Sequence, residues 1–292
     1  MKYILFCLLY GFSLYLKCSE IVFHELNTEL ETRTRYFFQE PVYAGQKTNS
    51  YSTNLKSEAY LEWDNNLSLT VTPYFRYDKF DHNRSDLDLR ESFLLLFKDD
   101  WEYNFGIKQV FWGVSESNNL VDIINQKDMA EGPSSDEKLG QPLISISRNT
   151  TIGIFDIFYL PIFRVANAVG EKGRLRFTNP LETNDPQFDG STGKKNPSWA
   201  MRWANNYNSF DLTLHYFRGT SREPSVIPYV KNGELKYLMG FQSISQYGGT
   251  LQNVVGPILI KFETIFRDGQ YNSDNIRKSF FSWVGGFEWN IT

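Results

Sequence analysis

The sequence predicts an all-β chain, an antiparallel transmembrane β-barrel of about 12 or more strands with a long inserted central loop. Three observations carry that expectation. Apolar and polar residues alternate in run after run, many long enough to cross a bilayer as tilted strands, which takes about 9–11 residues. Charged residues make up 22% of the chain and mean hydropathy is negative, yet aromatics reach 16%. That mixture suits strands with one face to water, plus aromatic girdles at both interfaces. Short turn-forming stretches also alternate with long polar connections, as in barrels with short periplasmic turns and longer outer loops. A soluble sandwich alternates too, but has no need of such long strands or of tryptophans near their ends, where Trp63, Trp101, Trp199 and Trp203 fall.

Residues 1–19 read as a signal peptide. Lys2 is followed by an apolar run over 3–16, too short for a transmembrane helix and right for an export signal. Cys18 and Ser19 allow a cut before Glu20, although Lys17 fits that site poorly. A cut near Ser13 and acylation of Cys18 both stay open. Cys7 and Cys18 are the only cysteines, so export with cleavage before Glu20 leaves no thiol, disulfide or cysteine metal site. The net charge is −4, and there is no basic tail, so nucleic acid is not an expected partner.

Leu30, Thr32, Thr34, Tyr36 and Phe38 share one face of the first run, opposite Glu29, Glu31, Arg33 and Arg35. Leu55, Ala59, Leu61 and Trp63 then alternate with Lys56, Glu58, Tyr60 and Glu62. Asp64-Asn65-Asn66 turns the chain into a return strand carrying Leu67, Leu69, Val71, Phe75 and Tyr77. A strand over 87–97 has blurred faces, because Arg90, Leu94 and Leu96 fall on the same parity. After Lys98-Asp99-Asp100, Trp101, Tyr103, Phe105 and Ile107 continue the pattern. Beyond the central loop, strands are expected near 143–148 and 152–160. A second polar connection spans 161–197 and a third runs from Arg218 to about Lys236. Between them, Trp199, Met201 and Trp203, then Phe210, Leu212, Leu214 and Tyr216, mark two more strands. The pattern weakens over 241–255, where Gly248-Gly249 reads as a bend or bulge. Ile258, Ile260, Phe262 and Phe266, then Phe281, Trp283, Phe287, Trp289 and Ile291, complete the set.

The stretch 111–142 (FWGVSESNNLVDIINQKDMAEGPSSDEKLGQP) interrupts the strands. It is acidic, and its apolar residues Leu120, Val121, Ile123 and Ile124 are too few for a core of their own. Loops of this length inside a compact domain are usually functional or disordered. The expected place for it is the mouth or lumen, as a constriction or plug. Charged rings set selectivity in pores. The acids Glu116, Asp122, Asp128 and Glu131 are therefore expected to face a basic wall that includes Arg164, Arg174, Arg176 and Arg202. Solvated loops, or ion pairs that only hold a plug, are the alternatives.

Covalent chemistry has little foothold. His24, His82 and His215 are the only histidines and lie far apart in sequence, so no metal or other cofactor is expected. His215 is near Thr220 and Ser221, but no nucleophile motif surrounds it. The outer-membrane machinery usually reads a terminal aromatic, and here Trp289 lies three residues short of the last position. Either the signal is displaced or the chain is a truncated form of a longer one.

Several segments carry a resemblance. LVDIINQKDMAEG, DEKLGQP, YLPIFR (159–164), GRLRF (173–177), MRW (201–203) and HYFRGTSREP (215–224) resemble an uncharacterised porin-like outer-membrane β-barrel family of Gram-negative bacteria, in the wider porin superfamily. The likeness spans roughly 110–290. It implies an outer-membrane barrel and a chain that runs beyond Gly285–Trp289, and it implies no substrate. The domain reading is thus a leader at 1–19 and a barrel over 20–292, with 111–142 as its lumen or plug loop and truncation at its C-terminal end left open. The functional reading is a porin-like channel for passive diffusion of small hydrophilic solutes, and not an enzyme. Its partners would be outer-membrane lipid, the insertion machinery, the solutes and a possible second copy of the chain. The alternatives are a non-conducting structural or surface-interaction barrel plugged by its central loop and, less favoured, an outer-membrane hydrolase.

Overall fold

A computed structural model describes residues 20–290 except 117, 133–135, 177, 180, 191, 192, 232, 273 and 275. The expected leader at 1–19 lies outside the described residues. Fifteen strands follow in order: β1 (Ile21–Tyr36), β2 (Asn49–Trp63), β3 (Leu67–Asp78), β4 (Asp86–Lys98), β5 (Trp101–Lys108), β6 (Gln141–Thr150), β7 (Gly153–Leu160), β8 (Leu181–Phe188), β9 (Ser198–Tyr207), β10 (Phe210–Thr220), β11 (Ser225–Lys231), β12 (Glu234–Phe241), β13 (Ser243–Val255), β14 (Ile258–Tyr271) and β15 (Arg277–Trp289). Twelve of them form one sheet in the order β1-β2-β3-β4-β5-β6-β7-β9-β10-β13-β14-β15. Every neighbouring pair in it is antiparallel.

Turn chemistry sets the two ends of this sheet apart. The tight turns β2–β3, β4–β5, β9–β10 and β13–β14 each hold a residue at positive φ: Asn66, Asp99, Asn208 and Gly256. Asparagine, aspartate and glycine tolerate that region best. Together with the β6–β7 turn they lie at one end, where β1 also begins and β15 also finishes. All the long connections, including 109–140, leave from the other end.

The pleat sorts side chains by face. In β3, Ser68, Thr70, Thr72, Tyr74, Arg76 and Asp78 are buried inward, while Leu69, Val71, Pro73, Phe75 and Tyr77 point out. The outward faces form an apolar surface, with Ile157, Trp199, Met201, Leu214, Phe266 and Trp283 exposed. In β4 a register shift between Thr72 and Pro73 accommodates an extra residue near Arg90. That shift places Arg90 and, beyond it, Glu91 and Phe93 on the inner side, which explains the blurred faces of this strand. Gly248 is not a bulge. It pairs in register with His215 and Ile265, and a Cβ there would stand 2.4 Å from His215 Cε1. The glycine makes room for the imidazole.

Three strands lie outside the large sheet. β11 pairs with β12 antiparallel, and β12 with β8 in parallel. Phe163, Ala166, Ala168, Leu181, Met239 and Phe241 form a small core with this sheet. It was not legible in the sequence, because LETNDPQF of β8 reads as turn and carries a proline.

β1 and β15 are the two edges of the large sheet, and no pairing joins them among the described residues. Lipid cannot satisfy edge N–H and C=O groups. Eleven antiparallel steps make β1 and β15 antiparallel to each other, so this seam can close directly or through an even number of further strands. Leu214 sits mid-strand on the outward face of β10. Leu214→Arg is expected to cost about 2–4 kcal/mol of folding stability in lipid vesicles. Inward Thr213→Ser should cost far less, as read from urea midpoints.

Candidate functional site

The connection between β5 and β6 folds inside the curved sheet and is fixed at three places. Its first part is held by a single carboxylate. Glu263 of β14 is fully buried. Its Oε1 accepts the backbone N–H groups of Val114 and Ser115, both at 2.7 Å. Its Oε2 accepts those of Leu120 and Val121, at 2.8 and 3.3 Å. Four loop amides that no strand could pair are thereby satisfied by one side chain.

The middle part is held by packing. Trp112, Val121, Ile123 and Ile124 form one buried cluster with the inward residues Leu143, Phe158, Leu160, Ala200, Phe217, Ile244 and Ile265. Each large apolar side chain so buried contributes about 1.5–3 kcal/mol. The loop's own apolar residues are indeed few, and the wall supplies the rest of the core. Arg222, just past β10, adds two bonds to the Ile124 carbonyl, from Nε at 3.0 Å and NH2 at 2.8 Å. Burial pushes its guanidinium down to about 9, so it remains a cation at neutral pH.

The last part is held by charge. Asp128 is fully buried, and its Oδ2 lies 3.1 Å from Arg76 NH1 on β3 and 2.5 Å from Arg90 NH2 on β4. Glu131 Oε1 lies 2.7 Å from Arg76 NH1, and its Oε2 lies 3.1 Å from Arg33 NH1 on β1. Arg84 is paired to Asp78 at 2.7 Å and donates to the Ala130 carbonyl. Burial alone would raise the Asp128 carboxyl, but the charges of Arg76 and Arg90 outweigh it and hold it below the usual range. Glu131 follows the same balance, with burial opposed by the hydrogen bond and charge of Arg76 and then by Arg84 and Arg33. Between these anchors the loop braces itself: Leu139 N–H donates to Gln126 O, Asp128 N–H to Glu137 O, and Asn125 ties Val110 to Lys108 and Leu139.

The predicted residues divide accordingly. Asp128 and Glu131 do meet arginines, but Arg33, Arg76 and Arg90 of the first strands and Arg84 of the β3–β4 connection rather than the later ones. Arg164 pairs with Asp88 at 2.7 Å and Arg202 with Asp156 at 2.8 Å. Arg174 donates to Gln39 O, and Arg176 donates to the Glu171 and Thr178 carbonyls. Asp122 pairs within the loop with Lys138, and exposed Glu116 pairs with Lys261 at 3.2 Å. In the sequence, Glu263 beside Lys261 and Arg267 reads as lumen pairing only, and Arg76 reads as an ordinary wall residue. Their one available signal was inward parity, shared with many others.

Two cavities flank the loop. One, of about 660 Å³, lies against the β1–β4 wall beside Arg33, Arg90 and Glu131. The other, of about 980 Å³, lies between the loop and the inner faces of β14 and β15, beside Arg267, Phe280 and Ser282.

A twelve-stranded antiparallel sheet with apolar outer face, tight turns at one end and a long inward connection can be compared with known proteins. The structure of a loop-deletion mutant of OmpT, an outer membrane protein of Vibrio cholerae, is similar with a TM-score of 0.52 and 9% identity, over 92% of this chain and 78% of that one. The fold is that of an outer-membrane β-barrel. In-vitro folded OmpT of the same organism gives a TM-score of 0.43 and 8% identity, covering 85% of this chain and 66% of that one. Salmonella typhi OmpF, in complex with daunomycin, gives 0.38 and 10%, covering 94% and 89%. No protein-family model and no curated protein matches the sequence. Outer-membrane localisation accords with this fold and with the exposed apolar surface.

Asp128→Asn leaves Arg76 and Arg90 facing a neutral group, and breaking a buried pair this way costs about 3–5 kcal/mol. Because the folded carboxyls sit low, their contribution is whole above the unfolded carboxyl range and is lost as pH falls through the folded values. A spin label on Asp136→Cys should keep one mobility from neutral pH to about pH 5 and become more mobile below about pH 4. With Asp128→Asn added, the label should show that higher mobility already at neutral pH. Glu263→Leu, which strands four amide donors, should open 113–122 to protease in folded protein, whereas the parent resists.

Proposed function

We propose that the chain is a porin-like channel of the outer membrane, passing small hydrophilic solutes by passive diffusion around a fixed inner loop. One observation carries this reading: the loop is anchored at both walls, yet charged, water-accessible cavities of about 660 and 980 Å³ remain beside it. A loop pinned by buried ion pairs keeps a constant cross-section, and charged side chains around the remaining space set which ions pass. The likeness of segments such as LVDIINQKDMAEG and HYFRGTSREP to a porin-like family points the same way. Its proposed partners are outer-membrane lipid, the insertion machinery and the solutes, with a second copy of the chain as a possible neighbour.

In this reading the chain is not an enzyme and needs no cofactor. His215 lies under Trp112, with ring centroids 5.0 Å apart, and is hydrogen-bonded to Gln246. Ser221 Oγ is engaged with Gln270 and Glu223 instead. A second reading, a non-conducting plugged barrel, draws support from the apolar cluster around Trp112 and Ile124, which fills the lumen beside β6, β7 and β10.

Single-channel recording in planar bilayers, with protein extracted folded from outer membranes, separates the two. Discrete steps that grow when 118–135 is deleted support the channel. Silence from folded parent protein, with steps only in the deletion variant, makes the loop a plug.

A further inference from the structure

We infer that the larger cavity selects small organic anions that carry an apolar body, such as aromatic carboxylates. This rests on the pore reading above and names its solute class.

The charge on this cavity runs against that of the chain. The whole sequence carries a net charge of −4. Yet Lys127, Lys138, Arg174, Arg176, Arg222 and Arg267 line the cavity against only Asp122, Asp136 and Glu223 among the described residues. Each of the three acids is already neutralised: Asp122 by Lys138, Asp136 by Lys127 at 3.0 Å, and Glu223 by Arg267 at 2.9 Å. The lining cations therefore outnumber the acids, and Arg174 and Arg222 at least keep their charge. The smaller cavity shows that such an excess is not a general property of the lumen, since its five acidic and five basic side chains balance.

Two of the surplus cations have no carboxylate within ion-pair distance among the described residues. Arg222 spends its hydrogen bonds on the carbonyls of Ile124 and Thr220, and its guanidinium lies against the rings of Phe163 and Phe217. Arg174 donates to Gln39 O and covers the Phe37 ring. Carbonyl and ring contacts orient a guanidinium without cancelling its charge. At the edge of a water-filled cavity that charge acts over one Debye length, ~8–10 Å at physiological salt.

The apolar half of the solute is read from the opposite lining. Leu120, Ile123, Met129, Leu175, Leu181 and Phe280 face the same cavity. Leu175 and Phe280 remain 48% and 38% exposed, so large apolar surface stands in the water path. A solute with a carboxylate at one end and a ring at the other answers both linings at once.

The test is a planar-bilayer experiment on folded protein, checked by its heat-dependent gel mobility. Under a KCl gradient the reversal potential should show chloride preferred over potassium. Benzoate added to one side should interrupt the current in a concentration-dependent way, while benzyltrimethylammonium should not. Arg174→Gln should reduce the chloride preference by about twofold, the effect of one partly screened charge. Leu175→Ser should weaken the benzoate interruptions and leave the chloride preference in place. Discrete steps that favour potassium would overturn the anion inference and leave the pore standing. Chloride preference with no effect of benzoate would overturn the apolar part. Absence of steps from folded protein would remove the pore reading itself.

Discussion

The inner architecture depends on a carboxylate with no exposed surface, Asp128, held between Arg76 and Arg90. Taking three charges out of water is expensive, and mutual attraction offsets that cost only when geometry and hydrogen bonding are good. Here Glu131 and the Tyr74 hydroxyl complete the set. Such an arrangement adds modestly to stability compared with an apolar core. Its larger effect is positional, since any displacement of the loop leaves arginines buried without a counter-charge. The charges decide where the loop sits, and packing around Ile123 and Ile124 makes that place stable.

The loop also makes the two sides of the lumen unlike. On the side of β6, β7, β9 and β10 the inward residues include Leu143, Phe158, Ala200 and Phe217, and the loop seals against these as a dry core. On the side of β1 to β4 the inward residues are polar and charged, on that of β14 and β15 Arg267 stands beside Phe280 and Ser282, and space remains at both. Inward polarity thus varies around the sheet according to whether loop or water is opposite. A uniform water-facing interior, the simplest expectation from alternation, holds for only part of the circumference. Glu263 marks the boundary: a charged wall residue, in a strand whose Ile265 is core, that serves backbone amides in place of water.

Much of the fold was legible in the sequence. Alternation located the strands of the large sheet, because a two-faced environment imprints a period of two on the residues. Asn66, Asp99 and Gly256 announced their turns, because positive φ restricts residue type. The small sheet of β8, β11 and β12 escaped, since its strands are short, irregular and supported by contacts remote in sequence. Gly248 was misread for a related reason: a glycine that makes room for a neighbour across the sheet looks, in one dimension, like one that bends its own strand.

For the inner loop, the sequence by itself determined its position in the chain and its acidity, and left open whether it would enter the lumen or stay a solvated loop. Which arginines it would meet was decided only by the tertiary structure. Arg164, Arg174, Arg176 and Arg202 looked like the basic wall because they cluster in the second half, whereas Arg33, Arg76, Arg84 and Arg90 surround the acids. Ion pairing depends on distance through space, and the curvature of the sheet brings β3 and β4, rather than later strands, opposite residue 128. A linear chain records the sign of each charge. Only the curvature of the sheet around the loop sets the separations that make a pair.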